Sequence, residues 1–193
     1  MKKLNEAEDR RVRKTKKLLE DSLAELLIQK PLNSITVREL AERADINRGT
    51  FYLHYKDVYD MVDKIQNDIF TRFNEIVKDY KPKYGEQALE PYLVELYKLL
   101  ADNSKLARCL IGKNGDAAFV DRIRKSMKEK CFEDVFNVLK LKNSDEYEYF
   151  YCFVEMGVIG MCAEWLESGM KESPEKMAEM TENLIQKSIS VLR

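Results

Sequence analysis

Glycine and proline are scarce in this 193-residue chain, with 7 and 4 copies, few for a β-protein that needs many tight turns. There is one histidine, His54, which leaves little for a Ser–His or Cys–His hydrolase or for a multi-histidine metal site. The four cysteines, Cys109, Cys131, Cys152 and Cys162, form no CxxC pair. They sit inside apolar periodic segments, so they are expected to be reduced packing residues, neither a disulfide framework nor a metal cluster. No uninterrupted apolar stretch approaches the roughly 18–20 residues of a membrane span, and Met1–Lys17 lacks the apolar region of a signal peptide. The expectation is a soluble, cytoplasmic chain with no membrane partner, no metal and no cofactor. No nucleophile–base pair or phosphate loop is visible either, so an enzyme is not expected.

What is present is a globular balance, 45% hydrophobic and 35% charged, and an uneven distribution of charge. The net charge is −1, yet residues 1–56 carry 13 Lys/Arg against 9 Asp/Glu, leaving 20 against 25 in 57–193. The sign change marks an amino-terminal module (1–56) able to face polyanions, joined to a body (57–193) that is not.

The apolar spacing is helical nearly everywhere. Leu18, Leu19, Ser22, Leu23, Leu26 and Leu27 trace a face of a first helix over roughly 10–29, halted near Pro31. Thr36-Val37-Arg38-Glu39 is a capping box that opens a short second helix. Asp45-Ile46 makes a tight turn, Asn47 is a suitable N-cap, and Arg48–Tyr55 forms a third helix. Asp57 can cap a long fourth helix with the stripe Met61, Val62, Ile65, Ile69, Phe73 and Ile76. Further helices are expected at about 87–101, 104–111, 116–140, 145–168 and 174–191, the last opened by Ser173-Pro174. The fold class is therefore all-α, with about nine helices.

Two short helices separated by so tight a turn describe a helix-turn-helix. Its second helix must be held rigidly with its outer face free to enter a major groove. Ile46, Phe51 and Tyr55 can turn inward, and Gly49 removes a side chain where backbone must approach something closely. Arg48 suits bidentate reading of guanine, and Thr50 a base edge or a thymine methyl. Tyr52, His54, Lys56 and the start of the second helix at Thr36 suit phosphate oxygens. The basic run Arg10-Arg11-x-Arg13-Lys14-x-Lys16-Lys17 reads either as a solvated helix face or as an arm for phosphates or the minor groove.

The run from Ile35 to Tyr55, with Thr36-Val37, Leu40-Ala41 and Gly49-Thr50-Phe51-Tyr52-Leu53-His54-Tyr55 in register, resembles the DNA-binding domain of the TetR family of transcriptional regulators over about residues 10–65. Asp45 stands where that family usually has Gly, and Val58 where it often has Lys, with Lys56 two residues earlier. The resemblance implies DNA contact by Thr36, Arg38, Asn47, Arg48, Gly49, Thr50, Tyr52, His54, Tyr55 and Lys56. It also implies a homodimer on a pseudo-palindromic, double-stranded operator, acting as a repressor that answers a small-molecule effector. A protein–protein adaptor that retains the architecture is the alternative.

In the body, Tyr147–Leu166 is apolar nearly all around and must be covered on most sides. This helix and the last one are expected to pair with their symmetry mates through Met156, Gly157, Gly160, Trp165, Met177, Met180, Leu184, Ile185 and Ser188. Candidate ligand residues are Tyr92, Tyr97, Phe119, Met127, Cys131, Phe132, Phe136, Tyr149 and Phe153. The ending Glu164–Met170 with Ser173-Pro174-Glu175 resembles a TetR subgroup that includes regulators of dihydroxyacetone kinase operons.

Overall fold

The computed structural model describes residues 2–78, 89–112, 115–139 and 144–189, and the side chains of 10–78, 89–112, 115–129 and 148–188. Among them the chain is all-α, with nine α-helices and no strand: α1 (Lys2–Gln29), α2 (Val37–Arg43), α3 (Arg48–Tyr52), α4 (Val58–Lys78), α5 (Glu90–Asp102), α6 (Ser104–Ile111), α7 (Ala117–Leu139), α8 (Ser144–Glu167) and α9 (Pro174–Ile189). The chain divides into two compact units, Met1–Asn67 and Asp68–Arg193, so the division falls inside α4.

In the first unit, Leu19, Ser22, Leu23, Ala24 and Leu26 of α1 are buried with Ile35, Leu40, Ala41, Phe51, Tyr55, Val58, Met61 and Ile65. Leu18, placed on that face by its spacing, is 40% exposed; the core-facing stripe starts one residue later. Helix α1 also begins well before residue 10, since nothing in its amino-terminal stretch breaks a helix. The Thr36 capping box forms as its spacing predicts. Thr36 Oγ1 accepts from the Glu39 amide at 3.3 Å, and Glu39 Oε2 accepts from the Thr36 amide at 3.0 Å. At the other end of α2, Asp45 takes φ 53°, the Asp45 amide donates to Glu42 O at 3.3 Å and the Ile46 amide to Ala41 O at 3.0 Å. These are the paired bonds of a left-handed helix stop that glycine usually makes. Helix α3 ends at Tyr52, earlier than Tyr55. Asp57 caps α4 by accepting from the Asp60 amide at 2.8 Å.

In the second unit, Leu93, Tyr97, Leu100, Ala107, Cys162, Trp165, Leu166, Met177 and Ala178 form one core cluster from α5, α6, α8 and α9. The Tyr97 ring meets Trp165 edge-on at 5.2 Å between centroids. Its hydroxyl lies 2.8 Å from Thr181 Oγ1, which itself donates to Met177 O at 2.8 Å; a hydroxyl has one proton to give, so Tyr97 donates to Thr181. Burial pushes the Cys162 thiol up to about 12, and the side chain is inert packing. Cys152, expected to be packed, is instead exposed on α8. Ser173 caps α9 ahead of Pro174, accepting from the Lys176 amide at 3.2 Å.

Helix α8 departs from a simple core helix. Its stretch Glu148–Glu167 has a mean hydropathy of 1.2, long and apolar enough to cross a membrane, and only 17% of the most apolar window is buried.

Candidate nucleic-acid interface

The first unit holds its third helix from one side. Phe51 is fully buried, and its ring lies 5.6 Å from that of Tyr55. Asn47 caps α3, its Oδ1 accepting from the Gly49 amide at 2.9 Å. With these anchors inward, Arg48, Gly49, Tyr52 and Leu53 are left outward, Tyr52 58% and Leu53 79% exposed. Thr50 and His54 are half-buried at the edges of that surface, and Lys56 is exposed beyond it.

Gly49 has room that the fold itself does not use. A Cβ built there meets nothing nearer than Asn47 Oδ1 at 3.5 Å, an ordinary contact. Internal packing therefore does not require glycine at this position.

Thr36 and Arg38 are exposed at the start of α2. The Arg38 guanidinium donates to Glu42 at 2.7 Å, and that hydrogen bond and charge hold its pKa above the usual arginine range. Both side chains of this pair are exposed to water, so it does not commit the arginine. Lys30 Nζ donates to Glu39; with the Thr36 hydrogen bonds, this pulls the Glu39 carboxyl down to about 2. His54 has its pKa lowered, first by desolvation and then by the nearby charge of Lys16.

Two of the residues put forward for contact also serve the fold itself. Tyr55 is 4% exposed and its ring packs against Phe51 on one side, with the Lys64 ammonium 5.6 Å from the ring centroid. It supports the surface from beneath. Asn47 spends its carboxamide oxygen on the α3 cap. Sequence reasoning missed Leu53, whose exposure on so small a head is conspicuous; its spacing of four from Gly49 already put it on the outward face. It also missed the tie made by Lys64. Val58 is buried, so in this chain that position belongs to the core.

Among the proposed dimer residues, Met156, Gly157, Gly160, Met180 and Leu184 are exposed, while Ile185 and Ser188 are half-buried. A Cβ built at Gly157 or Gly160 meets nothing within 4 Å. Trp165 and Met177, by contrast, lie in the core cluster of a single chain, and the Trp165 indole donates to Glu172 O at 3.0 Å. They are not on a surface that a second copy can reach.

The ligand candidates scatter. Tyr97 is wholly buried with its hydroxyl engaged, Phe119 is buried, and Tyr92 and Met127 are half-buried. Tyr149 and Phe153 are 80% and 64% exposed on the outer face of α8, so they face outward and enclose nothing. Cys131, Phe132 and Phe136 lie outside the residues whose side chains are described. An open depression of about 500 Å³ is lined by Asp121, Arg122, Arg124, Lys125, Lys128 and Glu155, none of them a candidate.

A capped helix-turn-helix with its second helix exposed along one side, on an all-α chain, defines a helix-turn-helix transcriptional regulator. The family described as "Bacterial regulatory proteins, tetR family" matches residues 21–65, and "Transcriptional regulator C-terminal region" matches residues 87–187. The chain belongs to the TetR family and is a DNA-binding transcriptional regulator, not an enzyme. An HTH-type transcriptional regulator of Staphylococcus aureus (strain USA300) is 26% identical over 136 residues, 68% of this chain and 70% of that protein. Among solved structures, the dihydroxyacetone kinase operon activator DhaS is similar at a TM-score of 0.58 and 18% identity, covering 93% of this chain and 98% of the other. The regulator FadR from Bacillus subtilis, in complex with stearoyl-CoA, is similar at 0.63 and 15%, covering 87% and 96%. At such identities the likeness to these structures is one of fold.

Proposed function

We propose that the chain is a homodimeric, ligand-responsive repressor that works in the cytoplasm on a pseudo-palindromic operator. Each subunit offers Arg48, Gly49, Thr50 and Tyr52 to a major groove, with Thr36, Arg38, His54 and Lys56 on flanking phosphates. Half-site centres would then stand about 34–36 Å apart, or a multiple of that. The observation that carries this reading is the one-sided anchoring of α3: Phe51 and Tyr55 are buried while Arg48, Gly49 and Tyr52 face outward.

The homodimer is supported by the exposed apolar face on α8 and α9. Tyr149, Phe153, Met156, Met180 and Leu184 are each at least 41% exposed, more apolar surface than a monomer usually leaves in water. Two copies of α8 and α9 would cover it as a four-helix interface, with Gly157 and Gly160 admitting close approach. A small effector bound by the body shifts the dimer between states only by its differential affinity for them. Tyr92, Phe119 and Met127 are the candidates for that site.

The test is a mobility shift on the DNA upstream of the gene at several salt concentrations. Binding by the wild type, with at least about tenfold loss in an Arg48→Ala, Tyr52→Phe, Lys56→Ala triple variant, supports the assignment. Retained affinity in the triple variant overturns it. For the pairing, Phe153→Glu with Leu184→Glu should convert a dimer into a folded monomer by sedimentation; an unchanged dimer places the interface elsewhere.

A further inference from the structure

The centre of the outward face of α3 is apolar. Successive residues of a helix turn by about 100°, so Gly49 and Leu53, two residues to either side of Phe51, each point about 160° away from it. Phe51 is fully buried, which makes that direction the outermost one on the helix. The Leu53 amide donates to Gly49 O at 3.2 Å, and its backbone is helical, with φ −68° and ψ −22°. Its side chain therefore keeps this register although α3 itself ends at Tyr52. Arg48 and Tyr52 lie on one shoulder of the face, Thr50 and His54 on the other.

Leu53 is 79% exposed, and Gly49, one turn before it, bears no side chain. Isolated exposed leucines are ordinary on proteins, but this one stands in the middle of the surface that a helix-turn-helix presents to a major groove. Its flanking residues carry a guanidinium, hydroxyls and an imidazole, groups fit for base edges and phosphates. Duplex DNA, and not an apolar partner, is the surface that such a mixture meets. In the major groove the distinctive groups are hydrogen-bond donors, acceptors and one apolar group, the C5 methyl of thymine. Set against a donor or acceptor, an aliphatic side chain strips water and returns no hydrogen bond. Set against the methyl, it buries apolar surface on both sides.

We propose that Leu53 is a specificity-determining residue, which packs on the C5 methyl of one thymine in the half-site read by α3. The proposal rests on the DNA-binding reading given above, whose contact residues do not include Leu53, and adds a base to it. Because the contact is apolar, it contributes sequence preference without neutralising a phosphate.

The experiment measures binding by fluorescence anisotropy on a duplex of about 30 base pairs selected by the wild-type protein from a random pool. Each thymine of the selected sequence is replaced in turn by deoxyuridine, which removes the methyl and leaves O4 and the pairing edge in place. The proteins are the wild type, Leu53→Ala, Leu53→Met and Thr50→Ser. At one thymine of a half-site the replacement is expected to weaken wild-type binding about fourfold, the effect of one buried methyl. Leu53→Ala should bind the unsubstituted duplex at least as weakly and be indifferent to the replacement at that position. Its melting curve and its slope of log affinity against log salt should match the wild type, since the side chain is exposed and touches no phosphate. Leu53→Met and Thr50→Ser should keep the sensitivity to the methyl. A wild-type protein indifferent to every replacement, or a sensitivity that persists in Leu53→Ala, overturns the proposal. The α3 reading still stands in that case if the Arg48→Ala, Tyr52→Phe, Lys56→Ala variant loses its affinity. A wild-type protein that selects no duplex overturns both.

Discussion

The ammonium of Lys64 on α4 donates to the backbone carbonyl of His54 at 3.1 Å and, in the same position, to Asp60 Oδ2 at 2.9 Å. The first bond fastens the segment that ends the recognition helix to the helix that follows it. Substituting Lys64→Met should cost about 0.5–1 kcal/mol of stability, since both bonds are exposed. Hydrogen exchange near His54–Lys56 should quicken more than elsewhere in the unit. Uniform exchange across the unit would show that the tie does not order this segment.

Asp45 at φ 53° closes α2 where glycine would adopt the same backbone without cost. Asp45→Gly is therefore expected to stabilise the first unit by about 0.5–1 kcal/mol, the left-handed penalty relieved less the entropy glycine brings. A thermal melt checks this, and a lowered midpoint would show that the carboxylate contributes more than its backbone conformation costs.

Gly49 separates folding from binding. Alanine fits the space there and favours a helix by up to about 1 kcal/mol, so Gly49→Ala should melt no lower than the wild type. On the proposed interface the methyl would stand between the backbone and the duplex, so DNA affinity should nevertheless fall about tenfold or more. Unaltered affinity would show that nothing approaches Gly49 closely.

Glu39 carries a pH signature. Its folded pKa, about 2, lies below the ordinary 4.5, so its ionised form, held by Lys30 and Thr36, favours the folded state above pH 4.5. That contribution shrinks as pH falls from there toward 2, and below 2 it is gone. Glu39→Gln should flatten this part of the stability curve measured by denaturant titration. A variant with the same acid slope as the wild type would place the sensitivity in other carboxylates.

Much of the fold was legible because it is written locally. The Thr36 box, the Asp57 and Ser173 caps and the Asp45 turn are each decided within a few residues, and each formed where its spacing put it. The surface of α3 followed from the same periodicity, which also turned Tyr55 inward, where it is buried; it was the family resemblance that placed Tyr55 among the contacts. What sequence could not decide was which apolar residues of the body face the protein and which face outward. Trp165 and Met177 differ from Tyr149 and Phe153 in partners and not in chemistry, since α8 is apolar on all sides and its spacing carries no direction. The tie from Lys64 to a backbone carbonyl was equally hidden, because a carbonyl has no residue identity to read.

In the proposed complex, two copies present α3 to successive major grooves of one duplex. Hydroxyl-radical footprinting of the wild-type protein on its selected duplex tests it most directly. Two symmetric protected patches are expected, with centres about one helical turn, 34–36 Å, or a whole multiple of it apart, both lost in the Arg48→Ala, Tyr52→Phe, Lys56→Ala variant. A single unpaired patch, or protection that survives in that variant, would contradict it.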